Sequence, residues 1–149
     1  MSRSLSAVVS KCVVLASLFC AIPSPAQAQS YAVTVWNQLN AQYNRLSDDG
    51  FSSSKYIIGR LKNSESESWN ITLYAGNSYQ ITGVCDGDCK DIDLALLDAN
   101  RKELVNDTSA DDVPILTYNI RTTGVYTVKV TMYQCSQDPC YFGLGVFFK

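Results

Sequence analysis

The chain contains no histidine, the side chain that most often serves as a general base and as a metal ligand in enzymes. Catalytic triads that depend on histidine are therefore excluded. The sequence also lacks a G-x-S-x-G nucleophile elbow and a glycine-rich phosphate-binding loop. A carboxylate pair or a serine-lysine pair would still permit hydrolysis, but these absences favour a protein without catalytic activity.

Long hydrophobic runs are also missing. The run "CVVLASLFCAI", Cys12 to Ile22, is shorter than the roughly 20 residues that a helix needs to cross a bilayer. Two basic residues precede it and small residues follow it in "PSPAQA", which is the pattern of a secretory signal peptide. We predict cleavage after Ala28. Lipoprotein processing at Cys20 is the alternative, and the bulky Phe19 before that cysteine argues against it.

Removal of residues 1–28 from the 149-residue chain leaves 121 residues, which suits a single domain with one core. These residues include 10 basic and 14 acidic side chains. The negative balance argues against nucleic acid and against an anionic membrane as partners. The sequence thus predicts a secreted or periplasmic protein whose partner is an envelope or extracellular protein, or a polysaccharide.

The predicted mature chain keeps an even set of cysteines: Cys85, Cys89, Cys135 and Cys140. Because an exported chain meets an oxidising compartment, these cysteines are expected to form disulfides. Four cysteines allow three pairings, and their close spacing favours two local bridges, the first pair and the second pair. A zinc site of all four is the alternative, but the usual knuckle has two residues between its cysteines and these pairs have three and four.

Residues 29–50 predict an amphipathic N-terminal helix. Five apolar side chains recur at alternating steps of three and four and so share one helical face: Ala32, Trp36, Leu39, Tyr43 and Leu46. The "SDDG" at Ser47 to Gly50 is a suitable stop signal. We expect the apolar face to pack on the protein's own sheet.

Residues 51–149 change to a period of two, with frequent turn residues, which predicts a β-domain. Eight segments have strand character: "KYIIGRL", "SWNITLYAG", "NSYQITGVC", "IDLALLD", "KELVND", "PILTYNI", "GVYTVKVTMYQC" and "YFGLGVFF". Their number and length favour two packed antiparallel sheets. The second and third segments, separated by Gly76 and Asn77, are expected to pair as a hairpin.

The stretch "CDGDCKDIDLALLD" holds the densest negative charge in the sequence. Calcium takes six to eight oxygen ligands, yet the spacing is not that of an EF-hand. We predict a weak calcium site made from Asp86, Asp88, Asp91 and Asp93, with "TSADD" at Thr108 to Asp112 closing over it. The alternative is a solvated loop whose aspartates accept hydrogen bonds from backbone amides in turns.

Aromatic residues offer a second kind of binding site. Tyrosines exposed on a β-sandwich can stack on sugar rings, and Tyr74, Tyr133 and Tyr141 are the best candidates for exposure. Trp69 alternates in phase with Ile71 and is expected in the core. A carbohydrate-binding module is therefore one alternative function.

The ordered series "SWNITLYAG", "DIDLALLDAN" and "GVYTVKV", within Trp69 to Phe148, resembles the bacterial pre-peptidase C-terminal domain. The resemblance implies a jelly-roll-like β-sandwich that is usually appended to secreted hydrolases, is often non-catalytic and in some members binds calcium. It places Asp91, Asp93 and Asp98 at the family's acidic strand and turn positions. No protease domain precedes the region here, and both cysteine pairs are additions to the family pattern.

Together these features predict an all-β, jelly-roll-like antiparallel sandwich of about eight strands, preceded by one amphipathic helix. The expected function is that of a small exported non-catalytic module with a binding or accessory role, with calcium as a candidate stabilising ion. A secreted hydrolase or an inhibitor with a carboxylate site is the alternative from another class.

Overall fold

The computed structural model describes residues 25–149, with side chains described from residue 29 onward. The predicted signal peptide, residues 1–28, lies outside this range except for the start of the helix. The described residues form one helix and eight strands: α1 (Pro25–Asp48), β1 (Ser52–Leu61), β2 (Ser66–Leu73), β3 (Ser78–Cys85), β4 (Cys89–Leu97), β5 (Glu103–Asp107), β6 (Ile115–Asn119), β7 (Gly124–Cys135) and β8 (Cys140–Phe148). The described part of the chain contains no helix that is both long and apolar enough to cross a membrane.

The strands form two antiparallel four-stranded sheets, which we name sheet 1 (β1-β8-β3-β6) and sheet 2 (β2-β7-β4-β5). The first strand pairs with the last, the second with the seventh, the third with the sixth and the fourth with the fifth. This nested order is the topology of a jelly roll, in which one long antiparallel ribbon wraps into two facing sheets. The predicted fold class is therefore confirmed.

The core lies between the inner faces of the two sheets. Strand β7 shows why the chain folds this way: Val128, Val130 and Met132 are fully buried, while the intervening Lys129 is exposed. The alternation predicted from the sequence is thus confirmed for this strand. Trp69 packs at the edge of the core, with its ring centroid 5.5 Å from that of Phe142.

The predicted hairpin between the second and third strand segments is wrong. Strand β2 pairs with β7 in sheet 2, whereas β3 pairs with β6 and β8 in sheet 1. The turn at Gly76, which has a positive φ of 88°, carries the chain from one sheet to the other. A tight turn between two alternating segments is compatible with both arrangements, so the local sequence does not distinguish them.

Helix α1 packs on the outer face of sheet 1, against β8, β1 and β3. Its end at the predicted "SDDG" is confirmed, since Gly50 has a φ of 82° and the Phe51 N–H donates to the Leu46 carbonyl at 2.9 Å. The buried helical side chains are Val35, Leu39 and Leu46.

The predicted apolar face of α1 is only partly right, because Trp36 and Tyr43 remain partly exposed. The reason lies in the distant strand β8. A Cβ atom on Gly143 would come within 2.6 Å of Val35 Cγ1 and 2.7 Å of Leu39 Cδ1, so the glycine leaves room for those two side chains. The sheet accepts the smaller residues of α1, and Trp36 lies beside them with its ring edge on Tyr56.

Both predicted local disulfides are present. Cys85 is bonded to Cys89 across the connection from β3 to β4, and Cys135 is bonded to Cys140 across the connection from β7 to β8. The alternative zinc site is excluded, because the four sulfur atoms are used in these bonds. Each disulfide therefore closes a connection between a strand of one sheet and a strand of the other.

Candidate functional site

Asp86 begins the acidic stretch and is 2 % exposed. Its Oδ1 atom accepts hydrogen bonds from the N–H groups of Asp88 (3.1 Å) and Cys89 (3.2 Å). Its Oδ2 atom accepts a third, 2.7 Å long, from the N–H of Tyr141 on β8. This carboxylate therefore caps the β3–β4 turn and joins it to sheet 1, which is the turn-capping role considered as the alternative to calcium binding.

Asp88 lies in the same turn and has different contacts. A hydrogen bond to the Asp88 carboxylate raises the pKa of the Tyr31 phenol on α1. The Asp88 carbonyl accepts bonds from the backbone N–H and the hydroxyl of Ser136, at 2.8 and 2.7 Å. The loops held by the two disulfides are thus bonded directly to each other.

Asp91 and Asp93 lie together on the face of β4 opposite Ile92. The Ile92 N–H donates to the Asp111 carbonyl at 3.1 Å, so the loop predicted to close over these acids does lie beside them. Asp91 is 7 % exposed, and its buried Oδ1 atom has no hydrogen-bond partner among the described residues. Burial, followed by the charge of Asp111, raises the pKa of Asp91.

Neighbouring acidic side chains also make ionisation of the Asp93 carboxyl unfavourable. Burial raises the pKa of Asp93, as do the charges of Asp91 and Asp107, while Lys129 lowers it. Asp107 behaves differently, since hydrogen bonds from the N–H groups of Ile115 (2.9 Å) and Ser109 (3.2 Å) lower its pKa. Nothing in the local sequence marks Asp107 as part of this site, and only the fold brings it near β4.

The four predicted calcium ligands do not form one cluster. Asp86 does not fit the role, because its two oxygens already accept three N–H groups. Asp91 fits better, because its Oδ1 atom has no partner. Within residues 25–149 no three acidic or cysteine side chains are arranged to hold a metal ion. Any bound ion would need main-chain carbonyls and water beside Asp91 and Asp93.

Calcium binding stays a prediction, now centred on Asp91 and Asp93. A cation that binds only the folded state stabilises it by about 2.7 kcal/mol at a hundredfold excess over Kd. We expect millimolar calcium to raise the melting temperature by several degrees relative to chelator, and the paired Asp91→Asn and Asp93→Asn substitutions to abolish the increase. Overlapping melting curves of the unsubstituted protein would contradict the prediction.

The raised pKa of Asp91 predicts a specific pH dependence of stability. Because the folded chain binds this proton more tightly than the unfolded chain, stability rises as pH falls through the raised pKa towards the ordinary value of 3.8. At neutral pH the buried, ionised group destabilises the fold. We expect Asp91→Asn, in chelator, to raise the melting temperature by a few degrees at neutral pH and by almost nothing near pH 4.

Asp112→Asn is the matched control, since it removes the same charge from the neighbouring loop at an exposed position. It should leave the melting temperature unchanged at both pH values. An equal gain from the two substitutions would show that the effect is one of net charge and not of burial.

A groove of about 450 Å³ opens at the opposite end of the sandwich. It lies between the β4–β5 turn and the β6–β7 turn, with Leu104, Tyr118 and Tyr126 packed against the core below it. Asp98 and Arg121 are on its two sides. The Asp98 Oδ1 atom accepts the N–H groups of Asn100 and Lys102, so this carboxylate also supports a turn.

The three tyrosines proposed from the sequence as sugar-stacking residues do not form one platform. Tyr74 and Tyr133 are exposed, but Tyr141 is half-buried and stacks on Tyr31. Tyr74 follows β2 near its pairing with Gly124, and Tyr133 is nine residues further along β7, about 30 Å away in an extended strand.

Four partly exposed apolar side chains lie along α1 and β1, and we name them the α1–β1 strip: Val33 (51 % exposed), Trp36 (42 %), Tyr43 (37 %) and Ile58 (42 %). Tyr56 of β1 contacts Trp36 of α1 edge-on at a centroid distance of 5.6 Å and so joins the two elements. The helical periodicity predicted that Trp36 and Tyr43 lie in the buried face, and no local pattern marks Ile58 as part of an exposed apolar surface. The strand register was needed to find this surface.

No protein-family model and no curated protein sequence matches the chain. Among solved structures, the chain is similar to PliG of Aeromonas hydrophila, described as a periplasmic lysozyme inhibitor of g-type lysozyme. The identity is 13 %, the match covers 68 % of this chain and 90 % of that chain, and the TM-score is 0.47. A similarity of this degree carries no argument about function. Membership of the pre-peptidase C-terminal family stays a prediction.

Proposed function

We propose that the protein is an exported, non-catalytic module that binds another protein. The observation that carries this proposal is the α1–β1 strip, in which four large apolar side chains remain exposed on the helix and on the strand that it contacts through Trp36 and Tyr56. Contiguous exposed apolar surface is costly in water and commonly marks an interaction site. The two disulfides support export, because such bonds persist in oxidising compartments.

The carboxylates support a non-catalytic role. Asp86 and Asp98 use side-chain oxygens to accept backbone N–H groups, as do Asp107 and Asp111. These groups hold turns in place and would have to leave them in order to transfer a proton. The sequence has no histidine to take over that task.

Two assays test the proposal. A panel of peptide and glycoside substrates should show no turnover above that of the heat-denatured protein. Immobilised protein should retain a component of an envelope extract, and Trp36→Ala should lose it while Val125→Ser, an exposed apolar change on sheet 2, keeps it. Robust turnover that disappears when one acidic residue is replaced would show that the protein is an enzyme.

Saccharide binding in the sandwich-end groove is a second candidate function. The observation that favours it is the combination of Tyr118 and Tyr126 with the polar side chains of Asp98 and Arg121 around one 450 Å³ space. Aromatic rings provide apolar faces for sugar rings, and planar polar side chains can bond their hydroxyls. A titration with soluble oligosaccharides should shift the NMR signals of residues 118–126, and a flat titration would exclude this function.

A further inference from the structure

Strand β1 has a free edge. It pairs with β8 and forms no second ladder within residues 25–149. After an irregularity between Ser53 and Lys55, its pairing is regular to Leu61, and it contains no proline. At ten residues it is longer than the other edge strands, since β2 has eight and β5 and β6 have five each. Its outward backbone groups can therefore pair with another strand.

The free edge is continuous with the α1–β1 strip. Ile58 pairs with Gly143, the residue that lies directly under Val35 of the helix. Tyr56, two residues before Ile58 on the same face, contacts Trp36. A strand added beside β1 would place alternate side chains on this apolar surface. The edge strand β2 offers no such surface, since its outer face carries Ser68, Asn70 and Thr72.

Helix α1 and strand β1 carry a positive balance of charge in an otherwise acidic chain. Residues 29–64 carry four basic side chains, and their two acidic ones, Asp48 and Asp49, lie at the C-terminal end of α1. Residues 65–149 carry six basic and twelve acidic side chains. Strand β1 itself carries two basic side chains and no acidic one, and the acids Glu65 and Asp138 near its C-terminal end accept the backbone N–H groups of Lys62 and Asn63.

We propose that the β1 edge binds an extended, acidic segment of another protein by β-strand addition. This inference rests on the proposed binding function and names the chemistry of the partner. Main-chain hydrogen bonds along β1 supply affinity, and apolar side chains at every second position of the segment pack on the α1–β1 strip. The acidic side chains of such a segment alternate onto the opposite face, that of Lys55, while Arg60 lies two residues beyond Ile58 on the strip face and adds positive charge there.

A second copy of this chain fits the edge less well. Two antiparallel β1 strands related by a two-fold axis would bring the Lys55, Arg60 and Lys62 side chains of both copies into one ribbon. Like charges on neighbouring strands oppose pairing. The same basic residues that attract an acidic segment therefore disfavour a dimer through this edge.

Synthetic heptapeptides test the proposal with the intact mature protein. The probe is acetyl-EVEIEVE-amide, and its controls are the same peptide with N-methyl groups on alternate amides and the peptide acetyl-KVKIKVK-amide. Binding is followed by isothermal titration and by NMR. We expect the acidic peptide to bind with micromolar affinity and to protect the outward amides of residues 55–61 from hydrogen exchange. Each control peptide should bind at least about tenfold more weakly.

Surface variants locate the binding site. Ile58→Ser and Arg60→Glu should each weaken binding of the acidic peptide by about tenfold. The matched controls are Val125→Ser and Lys102→Glu, which make the same chemical changes at exposed positions on sheet 2 and on the β4–β5 turn. These should change the affinity by less than about twofold. Unchanged melting temperatures would show that all four variants remain folded.

Three results would overturn the inference. The first is equal binding of the N-methylated peptide, which would exclude strand pairing. The second is absence of binding, or amide protection elsewhere than β1. The third is a dimer in light scattering with protected β1 amides, which would assign the edge to a second copy. The proposed non-catalytic function is tested separately by the substrate panel. If none of these three results is accompanied by turnover, that function stands without this partner. Turnover that disappears when an acidic residue is replaced would overturn that function, regardless of the peptide-binding results.

Discussion

Replacement of Asp86 by alanine is expected to lower the free energy of unfolding by about 3 kcal/mol, since it removes the acceptor of three backbone N–H groups in a buried setting. The β3–β4 turn would lose its bond to Tyr141 on β8, although the Cys85–Cys89 disulfide would still close it. Urea denaturation of the purified variant measures the loss. The same loss should be found in calcium and in chelator, because this carboxylate supports a turn.

Two further variants make this experiment specific. Asp86→Asn should cost nearly as much as alanine, because an amide offers one acceptor oxygen and would place its NH₂ group against an N–H donor. Asp88→Ala, in the same turn, should cost less than about 1 kcal/mol, since the bonds from Ser136 go to its main-chain carbonyl and its carboxylate receives one bond, from the Tyr31 phenol. If Asp86→Ala unfolds at the same urea concentration as the unsubstituted protein, the capping role is wrong.

The second large effect is expected at Gly143. Gly143→Ala should destabilise the protein by about 1 to 3 kcal/mol, because the new methyl group would lie within 2.7 Å of Val35 and Leu39 and push α1 away from sheet 1. Gly124→Ala is the matched control, since a Cβ atom at Gly124 meets nothing within 4 Å. Thermal denaturation followed by circular dichroism compares the two.

A double-mutant cycle with Leu39→Ala tests the mechanism. That substitution alone should cost about 2 to 5 kcal/mol, because it leaves a cavity under the helix. Combined with Gly143→Ala, the total should be smaller than the sum of the separate losses, since the alanine methyl can occupy part of that cavity. Additive losses would show that the glycine does not serve the close approach of α1.

The strands could be predicted from the sequence because alternation is a local property. The residues of β7 alternate between core and solvent whatever the partner strands are, and the spacing of the cysteines made local disulfides the shortest pairing. The assignment of β2 and β3 to different sheets could not be predicted in the same way. It depends on β7 and β8, which lie about fifty to sixty residues further along the chain.

The candidate site was less predictable for the same reason. The density of aspartates in "CDGDCKDID" marked the region in which the fold buries the Asp86 and Asp91 carboxylates, and the Asp-Gly-Asp turn was a signal for capping by Asp86. The burial of the Asp91 carboxylate without a hydrogen-bond partner could not be predicted in this way. It depends on the irregular pairing between Cys89 and Ile92 and on the distant loop at Asp111. The exposure of Trp36 likewise depends on Gly143, about a hundred residues away.

The position of β8 has a consequence for the order of folding. This strand comes last in the order of the eight described strands, yet it lies between β1 and β3 in sheet 1 and packs against α1. Neither β1 nor the helix can reach its final neighbours while the ribosome or a translocation pore still holds residues 140–148. Sheet 2 contains no part of β8 and can pair before that strand is available, so the completion of sheet 1 and the docking of α1 are expected as the late steps of folding.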